Sequence, residues 1–177
     1  MNISEAQKEV RSVHLGAFSG FIVTGLIWLA SAAIGTWMST AMAIWALILG
    51  GTFIYPLSTL LLKLMGRPVS LSKENPFGML AMQAAFVIPF CYPVIAAATI
   101  HNTNWFFPAF LVVVGAHYLP FIFLYGMWQF GILAVLLVGL GTAIGMYFPE
   151  NFALGGWSGA VIYLLAAFPF RFFASKA

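Results

Sequence analysis

Blocks of about 20 apolar residues, separated by short polar or Gly/Pro-containing breaks, run the length of the chain. Such blocks predict helices able to cross the roughly 30 Å hydrocarbon core of a bilayer. Six spans are read, over residues 15–37, 40–64, 77–100, 106–125, 128–148 and 153–173. The runs are continuous, unlike the alternating segments of about 10 residues from which outer-membrane barrels are built. The weakest break is Gly126-Met127, where spans four and five almost touch, so five spans with one re-entrant segment is the alternative. The fold class is therefore an all-α polytopic membrane protein, a six-helix bundle forming a single domain.

Local signals refine this pattern. Ser4-Glu5-Ala6-Gln7 has the spacing of a capping box. Residues 5–14 then form either a short helix on the membrane surface or an extension of span one. The stretch GRPVSLSKENP, residues 66–76, is the one substantial polar loop and is too small for a domain. Pro56, Pro89, Pro93 and Pro120 fall inside spans, and each removes a helical N–H donor. The carbonyls of Thr52, Ala85, Pro89 and Ala116 lose their usual partners, and the spans are expected to kink. Within lipid such gaps are tolerated where protein or water fills them, which suits either an internal cavity or plain packing kinks. Gly51…Pro56 and Gly115…Pro120 hint at an internal repeat. Gly16-x-x-x-Gly20, Gly141-x-x-x-Gly145 and Gly155-x-x-x-Gly159 allow close helix approach, inside the bundle or in a homo-oligomer through span one, five or six.

Composition supports the membrane assignment: 63% of residues are hydrophobic and 6% charged, against roughly 25% charged in soluble domains. The seven Lys and Arg sharpen the topology. With six spans, Lys8, Arg11, Lys63, Arg67, Lys73, Arg171 and Lys176 all fall on one side, which the positive-inside rule makes the cytoplasm. Both termini are then cytoplasmic. Five spans would strand Arg171 and Lys176 outside. Lys8 and Arg11, the apolar run from Leu15 and the Ala30-Ser31-Ala32 triplet imitate a signal peptide. The run continues past Ala32, however, so a first transmembrane helix is expected. Asn2-Ile3-Ser4 matches a glycosylation sequon but faces the cytoplasm in this topology. Trp37, Trp105, Trp128 and Trp157 lie near span ends, where indoles favour the headgroup layer, whereas Trp28 and Trp45 lie deeper. No basic patch with interleaved aromatics is present, so no nucleic-acid partner is expected. Membrane lipids are the expected surroundings, and Cys91 has no second cysteine with which to form an intrachain disulfide.

Candidate chemistry is sparse. The chain has no Asp, and Glu5, Glu9, Glu74 and Glu150 lie outside the spans or at their edges. Paired carboxylates for acid/base work are thus missing at depth, and no catalytic residue is assigned. His117, in VGAHYLPFIFLYGM, lies near the middle of span four and should be neutral and hydrogen-bonded. It is either the polar contact of a pocket or a tie between helices. His14 and His101 belong to opposite membrane faces, so no metal or haem site is expected, nor any cofactor. A pocket would be lined by His117, Tyr118, Tyr125, Gln83, Tyr92 and Tyr55, uncharged hydrogen-bonding groups on interrupted helices. The function expected first is binding or transport of a small neutral or weakly polar molecule. The alternative is a structural or accessory protein acting through partner proteins. An intramembrane lipid-modifying enzyme with His117 as base comes last, because nothing orients that histidine.

The runs GGTFIYPLSTLLLKLMGR (50–67), NPFGMLAMQAAF (75–86), NWFFPAFLVVVGAHYLPFIFLYGM (104–127) and PENFALGGWSGA (149–160) resemble an uncharacterised family of small bacterial integral membrane proteins, a domain of unknown function. The resemblance covers nearly the whole chain. It implies a multi-pass protein of the bacterial cytoplasmic (inner) membrane and brings no activity, ligand or site residue with it.

Overall fold

The computed structural model describes residues 1–176, and every regular element among them is helical. The order is α1 (Ile3–His14), a short turn over Leu15–Ala17, α2 (Phe18–Trp37), α3 (Thr40–Thr52), α4 (Ile54–Leu64), α5 (Phe77–Phe90), α6 (Tyr92–His101), α7 (Phe106–His117), α8 (Leu119–Tyr125), α9 (Gln129–Tyr147) and α10 (Leu154–Lys176).

α1 is a helix of its own. Its sequence puts Ala6, Val10 and Val13 on one face at helical spacing, and that face is buried on the bundle while Ser4, Glu5, Lys8 and Ser12 point outward. The break from α2 is a left-handed corner, with φ of 50° at Leu15, 63° at Gly16 and 69° at Ala17. Leucine and alanine enter that region at a cost of about 1–2 kcal/mol each, so surrounding contacts must hold the corner. The cap differs from the expected Ser4/Gln7 box. Asn2 caps α1, its side chain accepting from Glu5 N while Glu5 accepts from Asn2 N, both at 2.9 Å. Both pairs have the right spacing, and the choice frees Gln7 for a long-range bond.

The long spans are interrupted at Phe53, Cys91 and Tyr118, two or three residues ahead of Pro56, Pro93 and Pro120, whereas α5 stays helical through Pro89. α3 and α4 meet at 55°. The least regular span is therefore 40–64, not the junction at Gly126. There Gly126 (φ 61°) ends α8 in a left-handed cap and α9 starts afresh at full length. Among the described residues, five helical segments are long and apolar enough to cross a membrane, and the bent pair α3–α4 makes a sixth when counted as one span. α3 leaves the Trp37 end of α2, whereas the loop after α4 is bonded to α1 at the other end: Arg67 Nη2 donates to the Ser12 carbonyl at 3.0 Å and Ser72 N to Glu9 Oε1 at 2.6 Å. The pair thus traverses the bundle and does not turn back.

α2 packs on α10 and α7 on α9 at the centre, with α3–α4 laid against α2 and α5–α6 against α7. Small residues set the approach of the central helices. A Cβ on Gly159 would fall 2.4 Å from Trp28, and one on Gly141 would fall 2.7 Å from the Pro108 carbonyl oxygen. The space between is filled by rings. Phe21, Tyr118, Phe130, Tyr163 and Phe170 form the half of the core nearer α1, and Trp28, Phe106, Phe107, Phe110 and Phe152 form the other half. Aromatic burial of this kind outweighs the modest worth of each ring pair.

The two ends differ in charge. α1, the 66–76 loop, the Gly126 turn and the C-terminal part of α10 share one end, tied by Gln7 Nε2 to the Phe123 carbonyl and Arg11 Nη1 to the Tyr125 carbonyl, both at 2.6 Å. The Arg171 guanidinium lies 4.9 Å above the Phe18 ring at this end. All seven Lys and Arg of the chain sit on these segments or at the adjoining end of α4. At the opposite end Trp37 and Trp157 stack edge-on at 5.7 Å, and Trp157 Nε1 donates to Thr36 Oγ1 at 3.0 Å.

Candidate functional site

The six residues expected to line a pocket are divided between the core and the outer surface. His117, at the last position of α7, is only 7% exposed. Its ring lies 5.4 Å from Tyr118 and 4.8 Å from Phe121, and the polar group facing it is the Ala84 main chain of α5. Nδ1 has no hydrogen-bond partner among the described residues. Tyr118 and Tyr125 share this neighbourhood, joined through Phe121 and through Phe130, whose ring is 4.8 Å from Tyr125. Tyr163 stands beside Tyr118 with ring centroids 6.3 Å apart, and its buried hydroxyl has no hydrogen-bond partner among the described residues. Tyr92 is half-buried at the start of α6, its ring 6.1 Å from Phe110 and its hydroxyl beside Gly51. Gln83 and Tyr55 face outward, Tyr55 with 74% of its surface exposed. The structure thus gathers His117, Tyr118 and Tyr125, and leaves Tyr92, Gln83 and Tyr55 apart from them.

Gln83 belongs to a different feature. α5 turns Phe77 and Ala84 inward toward the bundle, which leaves Met79, Gln83, Phe86 and Phe90 exposed on its outer side. These four follow one another at steps of four, three and four residues, the spacing of a helix-packing seam. Phe90 is 80% exposed, and a shallow concavity runs along the same face, lined by Met82, Gln83, Phe86, Val87, Phe90 and Cys91. The Gln83 amide makes no hydrogen bond among the described residues. A second concavity, on α9 between Trp128 and Leu136, has only apolar side chains and an indole along it. Gln83 therefore sets the α5 face apart.

A third group, unanticipated from the sequence, holds α1 in place. Glu9 accepts from Ser72 N and from Ser72 Oγ, and from Asn75 Nδ2 at 2.8 Å. Asn75 also donates to the Ala6 carbonyl at 3.1 Å and accepts from Phe77 N at 2.9 Å, which fixes the start of α5. No local sequence signal marks this group, because the partners of Glu9 lie more than 60 residues away. The Ser72 amide first, then Asn75, stabilise the Glu9 carboxylate and hold its pKa below the usual glutamate value. A carboxylate with a depressed folded-state pKa adds stability above its unfolded pKa and loses that contribution as pH falls through the folded value. Glu9→Gln is accordingly expected to lower thermal stability near neutral pH, with the gap to the wild type closing on acidification through that range. A gap independent of pH would remove this role.

Among the described residues, no three of His, Cys, Asp and Glu are gathered into a metal-ligand group. Taken together, the all-helical bundle, its apolar spans and its segregated charge define a multi-pass membrane protein. The chain belongs to a family of unknown function, DUF7010, whose model matches residues 3–171. No curated protein and no solved structure matches it.

Proposed function

We propose that this is an accessory membrane protein that acts by docking a transmembrane helix on the outer face of α5, with its basic end in the cytoplasm of a bacterial inner membrane. The observation that carries the reading is the Gln83 amide. It lies six residues into α5, about 9 Å along the helix at 1.5 Å per residue, and no group among the described residues satisfies it. Leaving such an amide unpaired in an apolar medium costs roughly 1–3 kcal/mol on protein scales. A helix laid along the Met79–Phe90 seam relieves that cost, since interhelical amide bonds are worth about 1–2 kcal/mol in model peptides. Rings and methionines flanking Gln83 supply adaptable packing. The test is a photo-crosslinking residue at Phe86, with Val135 on α9 as control, in native membranes. A discrete protein adduct at Phe86, lost on Gln83→Leu, supports docking; lipid adducts alone at both positions overturn it.

One observation favours a second reading, binding or transport of a small weakly polar molecule near His117. The buried Nδ1 lacks a partner among the described residues, and a ligand hydroxyl or amide would complete it. Ligand-dependent thermal shift and liposome flux across a panel of such molecules, lost in His117→Ala, would support this reading. Identical responses in the two proteins would end it.

A further inference from the structure

We infer that the helix docked on α5 is α5 of a second copy, related by a twofold axis along the membrane normal. This rests on the docking reading above and names its partner. The seam sets the first condition. Two copies in one membrane share an orientation, so a twofold along the normal brings their α5 helices together in parallel and opposes each seam residue to itself. Met79 meets Met79, Phe86 meets Phe86, and Gln83 meets Gln83 at the same depth.

Gln83 then satisfies itself. An amide carries both a carbonyl acceptor and NH₂ donors, so two copies facing each other exchange hydrogen bonds with no other residue type required. A partner of different sequence would have to present an amide or hydroxyl at that one depth, whereas symmetry supplies it automatically. A single polar side chain in an otherwise apolar seam also fixes the register of parallel helices. Nothing opposes the approach electrostatically, because residues 77–100 contain no Asp, Glu, Lys or Arg.

The seam is also held ready. Asn75 bonds the start of α5 and the Ala6 carbonyl of α1 at once, and Ala84, on the inward side, faces His117. The rotational setting of α5, and with it the outward direction of Gln83, is thereby fixed before any partner arrives.

The test uses purified full-length protein carrying Cys91→Ser in liposomes, with a single cysteine placed at Phe86, Phe90 or Val135 and cross-linked by mild oxidation. Phe86→Cys and Phe90→Cys are expected to give covalent dimer and Val135→Cys none. Gln83→Leu should weaken self-association about tenfold, the equivalent of one such interhelical amide contact, and Gln83→Asn should retain most of it. A monodisperse elution profile and unchanged melting of Gln83→Leu separate this loss from misfolding. Self-cross-linking at the seam that depends on Gln83 sustains the inference. A Phe86 adduct with a different polypeptide in native membranes, without self-cross-linking in liposomes, overturns it and leaves the docking function standing. No protein contact at Phe86 in either setting overturns both.

Discussion

Replacing Gly16 by alanine is expected to lower the unfolding temperature by about 5–15 °C, while Gly20→Ala four residues on changes it little. Gly16 has φ of 63°, where an L side chain costs about 1–2 kcal/mol. Its Cβ would also come within 2.6 Å of the Phe170 carbonyl oxygen and 2.7 Å of Ala174 Cβ. Neither is the end of a flexible side chain, so α1 or α10 has to move, an overpacking penalty of roughly 1–3 kcal/mol. Gly20 has open space where its Cβ would stand, and alanine is the better helix former. Thermal unfolding of the two purified variants checks this directly. Equal losses would mean that the left-handed corner is not what joins α1 to the bundle.

Arg11→Ala is expected to release α1. The side chain is buried, and Nη1 donates at 2.6 Å to the carbonyl of Tyr125 at the end of α8, where helical carbonyls lack partners of their own. A hydrogen bond from a charged donor contributes about 1.5–3 kcal/mol, and its loss leaves a buried acceptor unpaired. Gln7, bonded to Phe123 one turn earlier, and the Ser72 and Asn75 bonds to Glu9 and Ala6 remain, so the release is a local opening of α1 and not its full detachment. Amide exchange over residues 3–14 should accelerate markedly in Arg11→Ala and only slightly in Arg11→Lys, with α9 and α10 unaffected. Unchanged exchange over α1 would show that the apolar face of Ala6, Val10 and Val13, with the Glu9 and Asn75 bonds, suffices.

The spans were legible because each is an apolar block of the length a bilayer demands, and the segregation of seven cations follows from the same physics. The corner at Leu15–Ala17 was not. Two of its three residues have side chains that disfavour a left-handed backbone, so local preference points to a continuing helix and tertiary contact overrides it. Gly16 reads as half of a helix-approach motif, yet it acts as a turn residue pressed on Phe170. The capping signal was ambiguous in kind: Asn2/Glu5 and Ser4/Gln7 both fit, and only the distant Phe123 carbonyl decides between them. At the site, the residue types were legible but not their directions. Tyr55, Gln83 and Tyr118 all read as polar groups within spans, and only packing shows that Tyr118 faces the aromatic core while Tyr55 and Gln83 face out. The helical period assigns faces relative to one another; it does not say which face meets protein.

The central claim, that protein covers the α5 seam in the membrane, is tested most directly by the accessibility of spin labels to oxygen, which concentrates in the acyl-chain region. Labels replacing Phe86 and Phe90 in liposomes should show accessibility close to that of a buried site such as Leu137, and far below a label at Val135 on the lipid-facing side of α9. Gln83→Leu should raise both seam values toward that of Val135. Seam labels as accessible as Val135 in the wild-type background would contradict the claim.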